Sequence, residues 1–452
     1  MDEALEKLTG NLFRDDPEIE MLIRNGIESN RKGFADIRLF RADGTMLHKA
    51  RLRFRLRKHQ FVFGSNLYML DEFPSDEQNA AYRRYFAELF NGAVIPIYWT
   101  GLEPSDGHLR FDRNSEKVFR RPPPDLAIEY CREHALTVKA HPLLWHEYLP
   151  AWLDTRDIGR LSDRLERHVR EIAERYGKEI NILDVVNEIL TFDPVRFILP
   201  DNPLEFTFAL AEKYFPAGTR LMYNEITAES WKNNGSYTPI DLVCGRLKAA
   251  GRRLGGLGLQ HHLFFLDPGI MLERKMDETF FNPRYLYSTM DARAANGVPL
   301  HISEVTISGR EELGGEEMHA RIAERLYRLW FSHPACDGIF WWNLVEGTND
   351  CAAALDSEKG ENIHRSGLMK YDFTPKRAYR ALFRLLHEDW NTDCRMDYTD
   401  GAANKLHGFF GTYDCTVEWD GGTHTFALEH FKGCRKEHTL VLSPEPARCH
   451  NY

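Results

Sequence analysis

The 452-residue sequence contains no run approaching the roughly 18 consecutive apolar residues of a membrane span. Its start, Met1-Asp-Glu-Ala-Leu-Glu, lacks the basic and apolar regions of a secretory leader. The chain as it stands therefore reads as cytoplasmic, or as secreted or periplasmic if a leader precedes it. Basic charge is also short. Lys and Arg number 58 against 68 Asp and Glu, a net charge of -10 that argues against nucleic acid and anionic membranes as partners. The basic run Arg51–Lys58 alternates with apolar residues, as a half-buried strand with a solvated face would. Paired cysteines are missing too: none of the eight falls in Cys-x-x-Cys, which removes the usual zinc-ribbon and redox motifs. Cys394, Cys415, Cys434 and Cys449 lie close together near the C-terminus, where a disulfide or metal clip and plain buried thiols both remain open. A phosphate-binding glycine loop is lacking as well, because Gly255-Gly256-Leu257-Gly258 precedes an apolar run instead of following one. No cofactor or metal is expected.

Aromatic residues, in contrast, reach 12%, enough for both core packing and platforms that stack on flat ligands such as sugar rings. Two amphipathic stretches open the chain, and then the apolar period changes to two. Residues 34–40 and 47–56, around Asp43-Gly44, read as an antiparallel hairpin. From there to about residue 388 the pattern is strand, loop, helix, repeated. Strands are expected at 61–66, 93–97, 137–141, 182–188, 220–224, 256–262, 300–305 and 338–343. Helical stretches lie between them, such as 76–90, 124–134, 158–176, 204–215, 239–252, 316–332 and 376–387. Eight such units predict an α/β fold, a (β/α)8 barrel, with a doubly wound open sheet as the alternative. The expected organisation is an N-terminal helix and hairpin over 1–58, a catalytic barrel over 59–388, and a β region over 389–452. That last region is expected to pack with residues 34–57 in a small antiparallel sheet or sandwich, because a lone hairpin is marginal. Two independent surface hairpins are the competing arrangement.

The stretch Asn181–Leu190 ends a β-branched apolar run in Asn187 and Glu188. It reads either as an ordinary sheet edge or as a barrel strand with its tip at the site of chemistry. The ends of the expected strands carry Asn66, Tyr98, His141, Asn187 with Glu188, Asn224 with Glu225, Gln260 with His262, Glu304 and Trp342. Two carboxylates, Glu188 and Glu304, close apolar strands four and seven. Glycosidic bond cleavage needs such a pair, one protonated to release the leaving oxygen and one ionised.

Six segments in order strengthen this reading: His141-Pro142-Leu143-Leu144-Trp145-His146, Asp184–Glu188, Gly258–His262, His301–Glu304, Gly338–Trp342 and Asp372–Tyr379. Together, over about Phe61–Leu386, they resemble glycoside hydrolase family 10, the retaining endo-β-1,4-xylanases. The resemblance implies a (β/α)8 barrel cutting β-glycosidic bonds in a polysaccharide or oligosaccharide by double displacement. It implies Glu188 as acid/base, Glu304 as nucleophile, and Asn187 as the ligand of a sugar 2-hydroxyl. His262 would hold the nucleophile, and His141 a sugar hydroxyl. Trp145 and His146 would shape the wall, Trp342 an apolar face, and Gln260 a supporting amide. Plain core roles stay open for Trp145 and Trp342. Where the family has Pro-Glu-Asn-x-x-Lys-Trp, this chain has Pro96–Gly101, without that Glu, Asn and Lys, which puts xylan preference in question. Val345–Cys351 likewise departs from the family after strand eight. A non-catalytic carbohydrate-binding barrel is the second hypothesis. A metal-dependent barrel hydrolase, prompted by His141, His146, His261 and His262, is the third.

Overall fold

In the computed structural model, which describes residues 3–191, 199, 202–349 and 355–442, helices Glu3–Phe13 and Pro17–Arg31 lead into strands β1 (Lys32–Arg41) and β2 (Lys49–His59). Eight parallel strands follow: β3 (Val62–Asn66), β4 (Gly92–Pro96), β5 (Thr137–His141), β6 (Ile182–Asn187), β7 (Arg220–Glu225), β8 (Gly256–His262), β9 (Leu300–Thr306) and β10 (Cys336–Trp341). They close in sequence order, with β10 pairing back onto β3, so the barrel replaces the open-sheet alternative. Each crossover carries a helix, because parallel neighbours cannot be joined by a tight turn. Helix Ile158–Tyr176 shows the local logic. Asp157 caps it by accepting from the Arg160 N–H, while Leu161, Leu165, Val169, Ile172 and Tyr176 recur at helical spacing and are buried. Helix Pro283–Ala294, capped by Asn282, was not among the helical stretches read from sequence. β6, β8 and β9 are buried along their whole length, as strands covered on both faces must be.

The remaining strands are β11 (Asp393–Thr399), β12 (Lys405–Phe409), β13 (Gly411–Trp419), β14 (Gly422–His430) and β15 (Glu437–Leu442). They form two sheets, β12-β1-β15 and β11-β2-β13-β14. The expected hairpin of residues 34–40 and 47–56 is corrected here. β1 and β2 belong to different sheets, joined at their turn only by the isolated bridge Phe40–Met46 among the described residues. Ala35, Ile37 and Leu39 of one strand and Leu52 and Phe54 of the other share a single apolar core with Tyr413 and Val417. The period-two pattern marks which face is buried; the buried faces here meet across a sandwich and not along one sheet. β1 pairs antiparallel with β12 and parallel with β15. Cys394, Cys415 and Cys434 are free thiols, and Cys449 lies outside the described residues.

The chain divides into two compact units. One gathers residues up to Ile19, Val62–Trp330 and Ala335–Leu382; the other gathers Glu20–Phe61, Phe331–Pro334 and residues from Phe383 onward. Among the described residues no helix is long and apolar enough to cross a membrane.

Candidate active site

Register brings the polar strand ends to one level. Asn187 of β6 pairs with Asn224 of β7, Asn224 with Gly258 of β8, and Gln260 of β8 with Glu304 of β9. Because all the strands are parallel, these tips share the C-terminal mouth of the barrel, where a cavity of about 610 Å³ opens. Tyr98, His141, Trp145, Asn187, Glu188, Gln260, His262, Glu304 and Trp342 all line it. Asn66 and His146 do not. Asn66 is buried and donates from Nδ2 to Asn343 Oδ1 at 3.2 Å, whereas His146 faces Glu147 at 3.3 Å.

Glu304 is held from two sides. Oε1 accepts from Asn224 Nδ2 at 2.8 Å, and Oε2 from His262 Nε2 at 3.1 Å. With Nε2 donating, His262 Nδ1 accepts from the Thr306 hydroxyl at 2.8 Å. His141 Nε2 lies 4.0 Å from Glu304 Oε1. Burial pushes the Glu304 carboxyl up, but the His262 hydrogen bond, the facing histidines and Asn224 outweigh it and hold it below the usual carboxylate range.

Glu188 follows β6 in a left-handed backbone conformation (φ 57°) that non-glycine residues rarely adopt. Its N–H donates to the Asn224 carbonyl at 2.9 Å, and Oε1 accepts from Gln260 Nε2 at 2.8 Å. Burial, reinforced by the charge of Glu304, pushes this carboxyl up to about 7 against the opposing Gln260 bond. Two carboxyls of one cavity are therefore displaced in opposite directions. Asn187 Oδ1 accepts from Asn224 Nδ2 at 2.8 Å. Its Nδ2 reaches no full hydrogen bond, though its proximity still favours ionised Glu188 slightly.

Several residues that shape the site stood in the sequence reading only as motif members or strand ends, with no role assigned by the resemblance. Asp184, buried within β6, lies 3.0 Å from Lys139 Nζ and accepts from His141 Nδ1 at 2.8 Å, which fixes the tautomer and aim of His141. Burial raises the Asp184 carboxyl, yet Lys139 and His141 bring it below its ordinary value. The signal was there as a charge inside an otherwise apolar strand. Asn224, noted only as a strand end, is the shared amide between Asn187 and Glu304. Gly258 makes room for it, since a Cβ there would collide with Asn224 Oδ1. Glu225 is buried and pushed up to about 7 chiefly by that burial, but it accepts from the Ile226 and Leu190 N–H groups. The like charge that Glu188 feels most comes from Glu304. Tyr148, Trp231, Phe264, Phe265 and Phe280 add aromatic wall from loops.

The four histidines behind the metal hypothesis are not gathered. The His261 ring packs against Trp231 (5.1 Å) and Trp330 (5.0 Å), and His146 lies outside the cavity. Among the described residues no group of three or more His, Cys, Asp or Glu could hold a metal ion.

Comparison with known proteins agrees with this geometry. The sequence profile of glycosyl hydrolase family 10 matches residues 76–385. Over 428 residues the chain is 24% identical to the anti-sigma-I factor RsgI6 of Acetivibrio thermocellus, a match covering 92% of this chain but only 49% of that protein. It is 24% identical to endo-1,4-beta-xylanase B of Humicola insolens, over 65% of this chain and 76% of that one. In fold it is similar to xylanase 10B from Thermotoga petrophila in complex with xylobiose (TM-score 0.56, 19% identity, 73% of this chain and 95% of that one). It is likewise similar to a structure of GH10 from Paenibacillus barcinonensis (TM-score 0.54, 17% identity, 72% of this chain and 94% of that one). The profile spans more than half of the sequence and contains every residue of the carboxylate pair's network, so the chain belongs to glycosyl hydrolase family 10.

Proposed function

We propose that the chain is a retaining glycoside hydrolase that cuts β-linked polysaccharides or oligosaccharides, with Glu304 as nucleophile and Glu188 as acid/base. The opposite displacement of these two carboxyls within one cavity carries the reading. In the first step Glu304 attacks the anomeric carbon while protonated Glu188 gives its proton to the departing oxygen, leaving a glycosyl ester. Ester formation removes the Glu304 charge that helps keep Glu188 protonated. The Glu188 carboxyl then falls in pKa and serves as the base for water, which restores Glu304 and releases the sugar with its configuration retained. Asn187 offers its amide to the 2-hydroxyl, and Trp342 offers an apolar face to the ring. Relatives named endo-1,4-beta-xylanases support a xylan-type substrate.

The test is Glu304→Ala with an aryl β-glycoside. Hydrolysis falls on the order of ten-thousand-fold or more, and azide restores turnover as an α-glycosyl azide. Turnover like that of the unsubstituted protein would end the assignment.

A second reading, carbohydrate binding without hydrolysis, draws on the match of 92% of this chain to a protein named an anti-sigma factor. Calorimetric oligosaccharide binding with no hydrolysis by the unsubstituted chain would favour it.

A further inference from the structure

The cavity is lopsided about the carboxylate pair. Among the described residues half of its lining comes from the segments after β7 and β8; none comes from the loop after β3, and Tyr98 alone from the segment after β4. Glu188 is turned toward the β8 side, onto Gln260. A leaving group protonated by Glu188 therefore departs into the half walled by Trp231, Phe264, Phe265 and Phe280. With Glu188 as acid/base, the half left for the glycone is the one lined by His141, Asn187 and Trp342.

That half ends in a packed wall. Tyr98 is 2% exposed, and the buried Arg121 guanidinium lies 3.8 Å from its ring centroid. Tyr148 meets the Tyr98 ring edge-on at 5.0 Å, and Trp145 stacks on Tyr148 at 4.7 Å. Behind Tyr98 lies Tyr68, fully buried, with its ring 5.9 Å away. Arg120 locks this layer. Its backbone is left-handed (φ 62°), its guanidinium stands 5.3 Å from the Tyr68 ring, and Nη1 donates to Asn343 Oδ1 at 2.6 Å. Stacked cation and aromatic faces of this kind are close-packed and well defined. A second sugar joined to the non-reducing side of the glycone would need the volume they fill.

On the glycosidase reading above, we propose that the site is exo-acting: it takes one terminal sugar on the glycone side, with Tyr98 backed by Arg121 excluding a second. The product is a monosaccharide released from the non-reducing end, and the longer part of the substrate occupies the open half as leaving group.

The experiment compares 4-nitrophenyl β-xyloside, β-glucoside and β-galactoside with the corresponding 4-nitrophenyl β-1,4-biosides, reading both nitrophenol release and sugar product. The expected result is kcat/KM for release of nitrophenol at least about a hundredfold higher from a monoside than from its bioside. Any bioside is expected to yield monosaccharide before nitrophenol. Tyr98→Ala and Arg121→Ala should narrow the gap by roughly tenfold or more. Direct release of an intact disaccharide by the unsubstituted enzyme, at a rate equal to or above that of the monoside, overturns the proposal and leaves the hydrolase reading intact. If neither class is hydrolysed, the hydrolase reading fails, and calorimetry with the same glycosides decides the wall: tighter monoside binding supports it, and equal or tighter bioside binding overturns it.

Discussion

Asn224 donates from one amide nitrogen to both Asn187 Oδ1 and Glu304 Oε1, each at 2.8 Å. A single side chain on β7 thus ties the amide beside one carboxylate to the other carboxylate. Hydrogen bonds to charged groups contribute about 1.5–3 kcal/mol. Asn224→Ala should therefore lower kcat/KM by about ten- to hundredfold and raise the acid limb of the pH profile, because Glu304 loses a donor that favours its ionised form. A profile unchanged in position would contradict this.

Gly258→Ala tests the same bond from behind. The added methyl collides with Asn224 Oδ1 and displaces the amide, so activity should fall with a shift of the acid limb in the same direction as in Asn224→Ala. The double variant should be little worse than either single one, because both act through one contact.

The pH dependence follows from the signs of the two displacements. Glu304 must be ionised and is held below the usual carboxylate range, whereas Glu188 must be protonated and titrates at about 7. The profile of kcat/KM should be a bell with an acid limb below the ordinary glutamate value and an alkaline limb near about 7. Glu304→Gln removes the negative charge facing Glu188, so Glu188 should titrate lower in that variant. Carboxyl chemical shifts followed through a pH titration report it directly.

Asp184 is fully buried between Lys139 and His141. Asp184→Ala leaves the Lys139 charge uncompensated, which costs about 3–5 kcal/mol and should appear as a marked fall in thermal midpoint. Asp184→Asn keeps the shape but not the charge, so it should also lower the midpoint, and in addition lower kcat through the tautomer of His141.

The barrel was legible because its strands are short apolar runs separated by helical periods, and most strand ends carry a polar residue. Ile182–Val186 followed by Asn187 and Glu188 is the clearest instance. Asn224 and Gly258 were harder to weigh, because their roles arise from one strand approaching the next, and local pattern does not report pairing distance. Asp184 stood in the sequence only as part of the Asp184–Glu188 segment, and its partners Lys139 and His141 lie more than 40 residues away in sequence, on β5, where local pattern does not report them. β1 and β2 misled in another way: alternation gives the buried face of a strand but not its partner, so two strands of a sandwich read as a hairpin. Phe264, Phe265 and Phe280 sit in loops, where no periodicity distinguishes a cavity wall from ordinary surface.

The central claim, covalent catalysis through Glu304, is tested most directly by incubation with an activated 2-deoxy-2-fluoro-β-glycoside and peptide mass spectrometry. The account predicts one glycosyl group per chain, on Glu304, appearing at the same rate as activity is lost. An enzyme that hydrolyses the parent glycoside with inversion, or that carries the label on any other residue, would contradict it.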